Sequence, residues 1–262
     1  MSLPTPSPAT TTPTDDDPLP GFCAILLAAG KGTRMRSELP KVLHPFRGEP
    51  LVVHPLRTAA NAGARVVVVV VGHGRAEVEA TVRADASAAA LQLRFAHQAE
   101  QLGTGHAVLI ALAEMTDLHG PVLVLSGDVP LVTAATLRQL VRAATAGAIG
   151  LGVFTPPDTT GYGRILRAAD GRVVGIREHR DASPDERAIT ECNAGLYCFD
   201  LALLRTVLPT VRRDNAQGEI YLTDVIAAVA PDARIATIDI PLLQAAGVNS
   251  PEELAALERA AG

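Results

Sequence analysis

The chain has 262 residues, of which 48% are hydrophobic and 3% aromatic, with no tryptophan and a formal net charge of −5. This length suits one large α/β domain with appendages, and the negative charge and scarce aromatic residues argue against a nucleic acid partner, which cationic and stacking surfaces would recognise. No apolar run approaches the ~20 residues of a membrane-spanning helix, so we expect a soluble protein with no membrane partner.

Residues 1–20 differ in composition from the rest of the chain. They are rich in Pro, Thr and Asp and contain no basic residue, which argues against a signal peptide and predicts a disordered tail. The three cysteines, Cys23, Cys192 and Cys198, show no paired metal-binding spacing, and no two histidines fall three or four residues apart. We therefore expect a reducing, cytoplasmic location and no structural metal.

From Gly21 onward, apolar strand-like runs alternate with helix-like segments. The runs FCAILLA, RVVVVVVG, LQLRFA and PVLVLSGD predict strands, and helices are expected over residues 50–62, 75–84 and 105–115. This order predicts an α/β fold with a mainly parallel sheet flanked by helices on both faces. Ligands of such sheets bind at the carboxyl ends of the strands.

Residues 148–199 change character and predict a smaller β-rich lobe beside the main sheet, with a hairpin that turns at Asp170-Gly171. In the last segment Ser250 is a candidate helix N-cap, Pro251 takes the first helical position, and Glu253 lies three residues after the cap. The predicted organisation is a tail over 1–20, a main domain over 21–249 and the start of a helix over 250–262.

The segment from Leu27 to His44 combines close glycines and several cations directly after an apolar strand. Gly30 and Gly32 allow backbone N–H groups to approach an anion, and Arg34 and Lys41 supply positive charge, so the loop is typical of a phosphate site. The spacing fits neither the P-loop nor the dinucleotide fingerprint. Lys31 is expected to be a solvated neighbour.

Two further segments follow predicted strands and leave alternatives open. In QAEQLGTG, the amide of Gln98 matches the N3–H and O4 edge of a uracil-type base and Gly103 permits close approach, yet a glycine turn with Thr104 as a helix cap is equally compatible. Asp128 in SGDVP offers a carboxylate to Mg²⁺, or it caps the following turn.

Polar residues in the predicted lobe form a third constellation. Tyr162-Gly163, Glu178 and Asn193 offer groups for sugar hydroxyls or an N-acetyl group, although Glu178 also belongs to what reads as an ordinary solvated charge run. Asn249 in GVN is a candidate second metal ligand with Asp128, or a turn-forming asparagine.

Taken in order, the motifs resemble one family. LAAGKGTRM, LPKVLH, QAEQLGTGHAV, SGDVPL, TGYGRI, EHRDA, CNAG, NAQGEIYLTD and GVN match the uridylyltransferase domain of bacterial bifunctional N-acetylglucosamine-1-phosphate uridylyltransferase/glucosamine-1-phosphate acetyltransferases, over about residues 22–258. The resemblance implies a Rossmann-like nucleotidyltransferase fold with a small β-rich sugar-binding lobe. It also implies transfer of UMP from UTP to N-acetylglucosamine 1-phosphate with Mg²⁺ as cofactor, which gives pyrophosphate and a precursor of peptidoglycan and lipopolysaccharide.

The resemblance also implies roles for individual residues of this chain. It assigns charge stabilisation on the triphosphate to Arg34 and Lys41, and Mg²⁺ ligation to Asp128 and Asn249. Nucleotide contacts fall on Leu27, Ala28, Ala29, Gly30, Gln98, Gly103 and Thr104. The pocket for the sugar phosphate falls on Gly163, Glu178, Asn193 and Thr223.

The sequence departs from the family pattern at Ser126, where many relatives have Tyr, and at Ala194, where they have a hydroxyl residue. It also ends at Gly262, where relatives continue into a β-helix that transfers acetyl groups, so we expect no acetyltransferase activity and regard a separate acetyltransferase as a candidate partner. The alternatives are a nucleotidyltransferase for another sugar 1-phosphate or dTTP, and a non-catalytic nucleotide-sugar sensor or subunit of a separate acetyltransferase.

Overall fold

The computed structural model describes residues 19–145 and 148–262. The predicted tail over 1–20 lies outside the described residues except for its last two positions. The strands are β1 (Phe22–Ala28), β2 (Pro45–Phe46), β3 (Glu49–Pro50), β4 (Ala64–Val71), β5 (Gln92–His97), β6 (Pro121–Ser126), β7 (Ala148–Phe154), β8 (Arg164–Arg167), β9 (Val173–Arg177), β10 (Cys192–Asp200) and β11 (Arg234–Asp239). The helices are α1 (Val53–Ala62), α2 (Arg75–Ala84), α3 (Thr104–Ala113), α4 (Ala134–Thr145), α5 (Pro184–Arg187), α6 (Leu201–Val207), α7 (Asp224–Val229), α8 (Leu242–Ala245) and α9 (Pro251–Ala261).

One large sheet organises the molecule, in the order β11-β7-β10-β6-β1-β4-β5. The pairs β1 with β4, β1 with β6, β4 with β5 and β11 with β7 are parallel, and β10 runs antiparallel to both of its neighbours. The mainly parallel α/β sheet predicted from the alternation of elements is confirmed. Its buried strands read as continuous apolar runs because both faces are covered by helices.

Strand β4 shows this two-sided burial directly. Val67, Val69 and Val71 pack in a core with helices α1, α2 and α4, whereas the alternate residues Val66, Val68 and Val70 pack with α3, α6 and α7 on the other face. A period of two in side-chain direction therefore divides one valine run between two cores.

The β-rich part over 148–199, expected as a smaller lobe beside the main sheet, is largely continuous with that sheet. Strands β7 and β10 are members of the central sheet, because β10 hydrogen-bonds to β6 and carries the ladder onward to β7. Only β8 and β9 leave this path, as the predicted hairpin, with Gly171 at φ +85° in its turn. The lobe is thus an extension of the sheet with one hairpin attached through β8 to the start of β10.

The helix predictions are confirmed with small shifts in their bounds. Helix α2 has the predicted limits, α1 begins three residues later than predicted, and α3 covers 104–113 in place of 105–115. At α9 the hydroxyl of Ser250 accepts a hydrogen bond from Glu253 N at 3.2 Å, and Pro251 opens the helix, as the sequence predicted. No helix in the described part of the chain is long and apolar enough to cross a bilayer.

Candidate active site

The predicted site residues gather at one edge of the sheet. The loops after β1, β5 and β6 lie at the carboxyl ends of parallel strands, and the start of β10 reaches the same edge because this strand runs the opposite way. The topology therefore brings the glycine loop, Gln98, Asp128 and Asn193 to one side of the molecule.

The loop after β1 contains two short 3₁₀ turns, Thr33–Met35 and Lys41–Leu43. Gly32 precedes the first turn at φ +61°, and a Cβ at this position would overlap Lys41 Cβ. Gly30 has an ordinary backbone conformation, and no atom lies within 4 Å of the place a Cβ would take. Of the two glycines, Gly32 is thus the one that the loop requires, and Lys31 is exposed as expected.

A cavity of about 300 Å³, here called the Gln98 cavity, opens beside this loop. Six of the seven residues predicted to contact the nucleotide line it, and Ala28 is the exception because it is buried in the core. Its lining consists of Leu27, Ala29, Gly30, Lys41, Val42, Gln98, Gln101, Gly103, Thr104, Ala107, Ser126, Asp128 and Glu219.

Gln98 is only 4% exposed and is held in place by the protein. Its Nε2 donates to Gly103 O at 3.2 Å and contacts His106 Nδ1 at the same distance. The Oε1 acceptor is therefore the atom left for a ligand, and it can accept a hydrogen bond from a donor group of that ligand.

Gly103 and Thr104 have structural roles that the sequence did not indicate. A Cβ on Gly103 would lie 2.5 Å from Ile220 O, so the absent side chain admits the backbone of another segment of the chain. Thr104 does not cap α3, since its hydroxyl accepts a hydrogen bond from Leu222 N at 3.2 Å. The alternative in which Thr104 caps the helix is wrong.

A second cavity of about 310 Å³, here called the Asn193 cavity, adjoins the first. Three predicted sugar-phosphate residues, Gly163, Glu178 and Asn193, lie on its wall, and Arg34 lines it as well. Thr223 is 3% exposed and lies behind Glu178, to whose Oε1 it donates a hydrogen bond at 2.9 Å. The full lining is Arg34, Asp128, Val129, Thr160, Gly161, Tyr162, Gly163, Glu178, Asn193, Ala194, Gly195, Ala245, Gly247, Asn249 and Glu253.

The amide of Asn193 is fixed at both of its polar atoms. Its Nδ2 donates to Tyr197 Oη at 2.6 Å, and its Oδ1 accepts from Gly195 N at 3.0 Å. Tyr197 is buried and stacks on Phe199, and burial raises the pKa of its phenol, with the nearby Glu178 carboxylate adding to the shift. The neutral hydroxyl therefore orients Asn193, which keeps one N–H and one lone pair for a ligand.

Glu178 is not part of a solvated charge run. Burial raises the pKa of its carboxyl, the Thr223 hydroxyl opposes that shift, and the carboxylates of Asp224, Asp181 and Glu219 add to it. A carboxylate in such a setting is suited to accept hydrogen bonds from the hydroxyls of a sugar.

Asp128 lines both cavities and stands at their junction. Lys41 Nζ forms an ion pair with Asp128 Oδ2 and donates to Asn249 Oδ1 at 3.2 Å. The two residues predicted to bind Mg²⁺ thus direct oxygens at the same point, which the ammonium of Lys41 occupies. A carboxylate oxygen and an amide oxygen are both ligands that Mg²⁺ accepts. No cluster of three or more His, Cys, Asp or Glu that suits a metal occurs among the described residues, so a metal here would need further ligands from water or substrate.

Several residues that line the site or orient its side chains were missed by the analysis of the sequence. Tyr197 is not on the cavity wall but orients Asn193, and the even spacing of the two on β10 was the available signal. Glu253 accepts hydrogen bonds from Asn249 N at 2.8 Å and Asn249 Nδ2 at 3.2 Å, whereas its sequence position indicated only a helix cap. Gln101 and Glu219 carried no signal beyond their motifs.

Comparisons with known proteins agree with this geometry. A family model described as the MobA-like NTP transferase domain matches residues 24–191. The chain belongs to this family. It is a nucleotidyltransferase, and the NTP transferase fold is shared by a solved UDP-glucose pyrophosphorylase in complex with UDP-glucose, with a TM-score of 0.76 and 18% identity over 92% of this chain and 98% of that chain.

Curated relatives of this NTP transferase domain are more similar in sequence. "Bifunctional protein GlmU" of Chromohalobacter salexigens is 49% identical over 241 residues, which is 90% of this chain and 51% of that protein. The protein of the same name from Anaeromyxobacter dehalogenans strain 2CP-C is 46% identical over 240 residues, 91% of this chain and 49% of that protein. The resemblance stated from the motifs is confirmed, and the chain spans about half the length of the curated relatives it matches.

Proposed function

We propose that this chain transfers UMP from UTP to N-acetylglucosamine 1-phosphate and releases pyrophosphate. The observation that carries the proposal is the pair of adjoining cavities that share Asp128, one lined by the glycine loop and Gln98 and the other by Glu178 and Asn193. Two substrates that bind on either side of one carboxylate meet where phosphate groups and a divalent cation would gather. The names of the similar relatives support the same assignment.

In this proposal the Gln98 cavity takes the nucleotide. Gln98 Oε1 accepts the N3–H of uracil, and because its Nε2 is engaged within the protein, a cytosine ring with an acceptor at N3 is disfavoured. Thymine presents the same edge as uracil, so Gln98 alone does not separate UTP from dTTP.

The Asn193 cavity takes the sugar phosphate. Glu178 accepts hydrogen bonds from sugar hydroxyls, and the Asn193 amide, held by Tyr197 and Gly195, contacts the N-acetyl group. Both groups are anchored before the ligand arrives, which lowers the entropy cost of binding.

The chemical step needs no nucleophile from the protein. An oxygen of the sugar phosphate forms a bond to the α-phosphorus of UTP, the bond from that phosphorus to the oxygen bridging to the β-phosphorus breaks, and pyrophosphate leaves with the electron pair. The residues of the chain align the two phosphates, while Arg34 and Lys41 stabilise charge on the leaving group. When bound to Asp128 and Asn249, Mg²⁺ would supply neutralisation of phosphate oxygens. A separate acetyltransferase partner stays a prediction.

The substrate assignment is tested by pyrophosphate release with Mg²⁺, UTP and a panel of N-acetylglucosamine-, glucose- and N-acetylgalactosamine-1-phosphates, followed by exchange of UTP for dTTP and CTP. We expect the highest kcat/KM with UTP and N-acetylglucosamine 1-phosphate. Equal rates across the panel would contradict the sugar assignment, and absence of pyrophosphate with every pair would favour a non-catalytic sensor.

The roles of the two cations are tested by substitution. Arg34→Ala and Lys41→Ala should each lower kcat on the order of 10²-fold, the effect of losing one charge-stabilising donor. Lys31→Ala is the matched control, because Lys31 is an exposed cation of the same loop and should leave turnover unchanged. Near wild-type turnover in the Arg34 or Lys41 variant would contradict the role of that residue.

A further inference from the structure

The ammonium group of Lys41 occupies the position between the two expected metal ligands. It pairs with Asp128 Oδ2 and donates to Asn249 Oδ1 at 3.2 Å, and the side chains of Lys41 and Asp128 are each only 15% exposed. The Lys41 ammonium is therefore held between two side-chain oxygens at a site that is largely shielded from solvent.

A metal ion and this ammonium cannot use the same pair of oxygens. Mg²⁺ binds oxygen ligands at about 2.0–2.1 Å, so an ion that contacts Asp128 Oδ2 and Asn249 Oδ1 would fall where Lys41 Nζ now lies. Like charges at such a separation repel strongly where water is partly excluded. Lys41 must leave the pair before a metal can enter, and its flexible four-carbon stem lets the ammonium turn toward the glycine loop.

Asn249 is aimed at this position by a residue of α9. Glu253 Oε2 accepts from both Asn249 N and Asn249 Nδ2, so the amide oxygen of Asn249 faces Lys41. Glu253 is itself fixed in the first turn of α9, where its backbone N donates to Ser250 Oγ. Partners of this kind commonly set the orientation and affinity of metal ligands.

We propose that Lys41 is a placeholder cation for the divalent metal and that Glu253 is the positioning residue that aims Asn249 at it. In the nucleotide-free protein Lys41 holds Asp128 and Asn249 together and competes with metal. A triphosphate offers the ammonium an alternative anion and so releases the pair for the metal. The inference rests on the proposed function's assignment of Asp128 and Asn249 as metal ligands.

The two residues should change metal affinity in opposite directions. If Lys41 occupies the site nine-tenths of the time, removing it raises the apparent affinity of the nucleotide-free protein about tenfold, because the competent fraction of molecules rises by that factor. Loss of the orienting contact at Glu253 weakens affinity about tenfold or more, the usual effect of removing a partner of a metal ligand.

The experiment is a titration of the nucleotide-free 262-residue chain with Mn²⁺, followed by the EPR signal of the free ion. Lys41→Met is expected to bind Mn²⁺ about tenfold more tightly than the wild type. Arg34→Gln is the matched control, because it too removes one positive charge, here from the wall of the Asn193 cavity, while Arg34 forms no hydrogen bond or ion pair with Asp128 or Asn249 in the described structure. It should show a smaller change than Lys41→Met, and Lys41→Gln serves as a second variant with the same expected direction.

Glu253 is tested by a pair of variants that separate orientation from charge. Glu253→Ala should weaken Mn²⁺ binding, whereas Glu253→Gln keeps an acceptor for the Asn249 amide and should stay close to the wild type. Equal weakening in both variants would show that Glu253 acts by its charge and overturn its positioning role.

A further variant distinguishes failure of this inference from failure of the metal assignment. If Asp128→Asn abolishes Mn²⁺ binding but neither Lys41 variant tightens it, the placeholder role is overturned and the metal ligand stands. If Asp128→Asn binds Mn²⁺ as the wild type does, the metal assignment fails and the inference fails with it.

Discussion

At the scale of single residues, Gly32 takes a left-handed backbone conformation that a residue with a side chain would adopt only at a cost. This residue has φ +61°, and the position of its absent side chain is taken by Lys41. Gly30, two positions earlier, has neither a positive φ nor a neighbour within 4 Å of a Cβ. The two glycines of one motif therefore differ in what they contribute, and Gly32 is the one that lets Lys41 reach Asp128.

This difference predicts unequal effects of the same substitution. Gly32→Ala should lower the free energy of unfolding by about 1–2 kcal/mol, the cost of a left-handed backbone for a residue with a Cβ, before the overlap with Lys41 is added. Gly30→Ala should leave stability nearly unchanged. The measurement is urea denaturation of both variants, and equal losses would contradict the distinction.

Glu178 is the residue whose ionisation should be visible in function. Burial raises the pKa of its carboxyl above the ordinary value of 4.5, Thr223 opposes the shift, and Asp224, Asp181 and Glu219 add to it. If the ionised form accepts the sugar hydroxyls, binding of the sugar phosphate is complete above the raised pKa and is lost as the pH falls through it.

The KM for the sugar phosphate should therefore rise as the pH falls. The rise should begin at a pH above the range in which an ordinary glutamate titrates. Glu178→Gln should have a higher KM that does not rise further with this ionisation. Thr223→Val should shift the rise in KM to higher pH, because it removes the hydrogen bond that lowers the pKa of Glu178. The sugar phosphate titrates identically in all three proteins, so the differences report Glu178. Identical KM profiles for the wild type and Glu178→Gln would contradict the prediction.

At the scale of secondary structure elements, Arg164 of β8 joins the segment that carries Tyr162, a residue on the wall of the Asn193 cavity, to Arg187 of α5. Arg164 is 1% exposed. Its guanidinium donates hydrogen bonds to Tyr162 O, to Thr159 Oγ1 at 2.8 Å, and to Arg187 O at 3.4 Å. No carboxylate pairs with it among the residues that the structure describes, and its Nε has no partner there. A buried cation without an ion pair is costly, so the hydrogen bonds of Arg164 to these segments offset part of that cost.

We expect Arg164→Lys to raise the KM for the sugar phosphate about tenfold, which corresponds to about 1.4 kcal/mol, because one ammonium cannot bridge both segments. The KM for UTP should not change, since the Gln98 cavity lies elsewhere. Arg167→Lys is the matched control on the same strand, because Arg167 donates two hydrogen bonds to Glu191, at 2.7 and 2.6 Å, and none of its hydrogen-bond partners lines the Asn193 cavity. A rise in both KM values would indicate general loosening of the fold instead.

At the scale of the whole molecule, a small third core connects the phosphate loop with the end of the chain. Met35, Phe46, Leu51, Val248 and Leu257 form this cluster. It joins the loop after β1 to the residue before Asn249 and to α9, which carries Glu253. The packing of α9 therefore sets the distance between the two sides of the proposed metal site.

Leu257→Ala should cost about 2–4 kcal/mol of stability, as is usual for a buried leucine, and should also weaken Mn²⁺ binding through Asn249. Leu112→Ala is the control. Leu112 lies on α3 and is buried to a similar extent, but in the core that packs against Val66, Val68 and Val70 rather than in the third core. It should lose comparable stability in urea denaturation without a change in Mn²⁺ affinity. Equal Mn²⁺ affinity in the two variants would contradict the connection.

The sequence by itself determined the local structure and the family. The valine run of β4, the hairpin at Gly171, the limits of α2 and the cap at Ser250 are encoded by periodicity, turn residues and capping side chains, which act within a few residues. The motifs were enough to recognise the NTP transferase domain of the GlmU relatives and to name about half of the residues that line the two cavities.

Only the tertiary structure decided how those residues are used. The contact of Lys41 with Asp128 and Asn249, the position of Thr223 behind Glu178, and the approach of Ile220 to Gly103 join segments that are far apart in the chain. The continuity of β7 and β10 with the central sheet also depends on partners distant in sequence. Such contacts leave no local signal, because they are fixed by the packing of whole elements rather than by the propensities of the residues that make them.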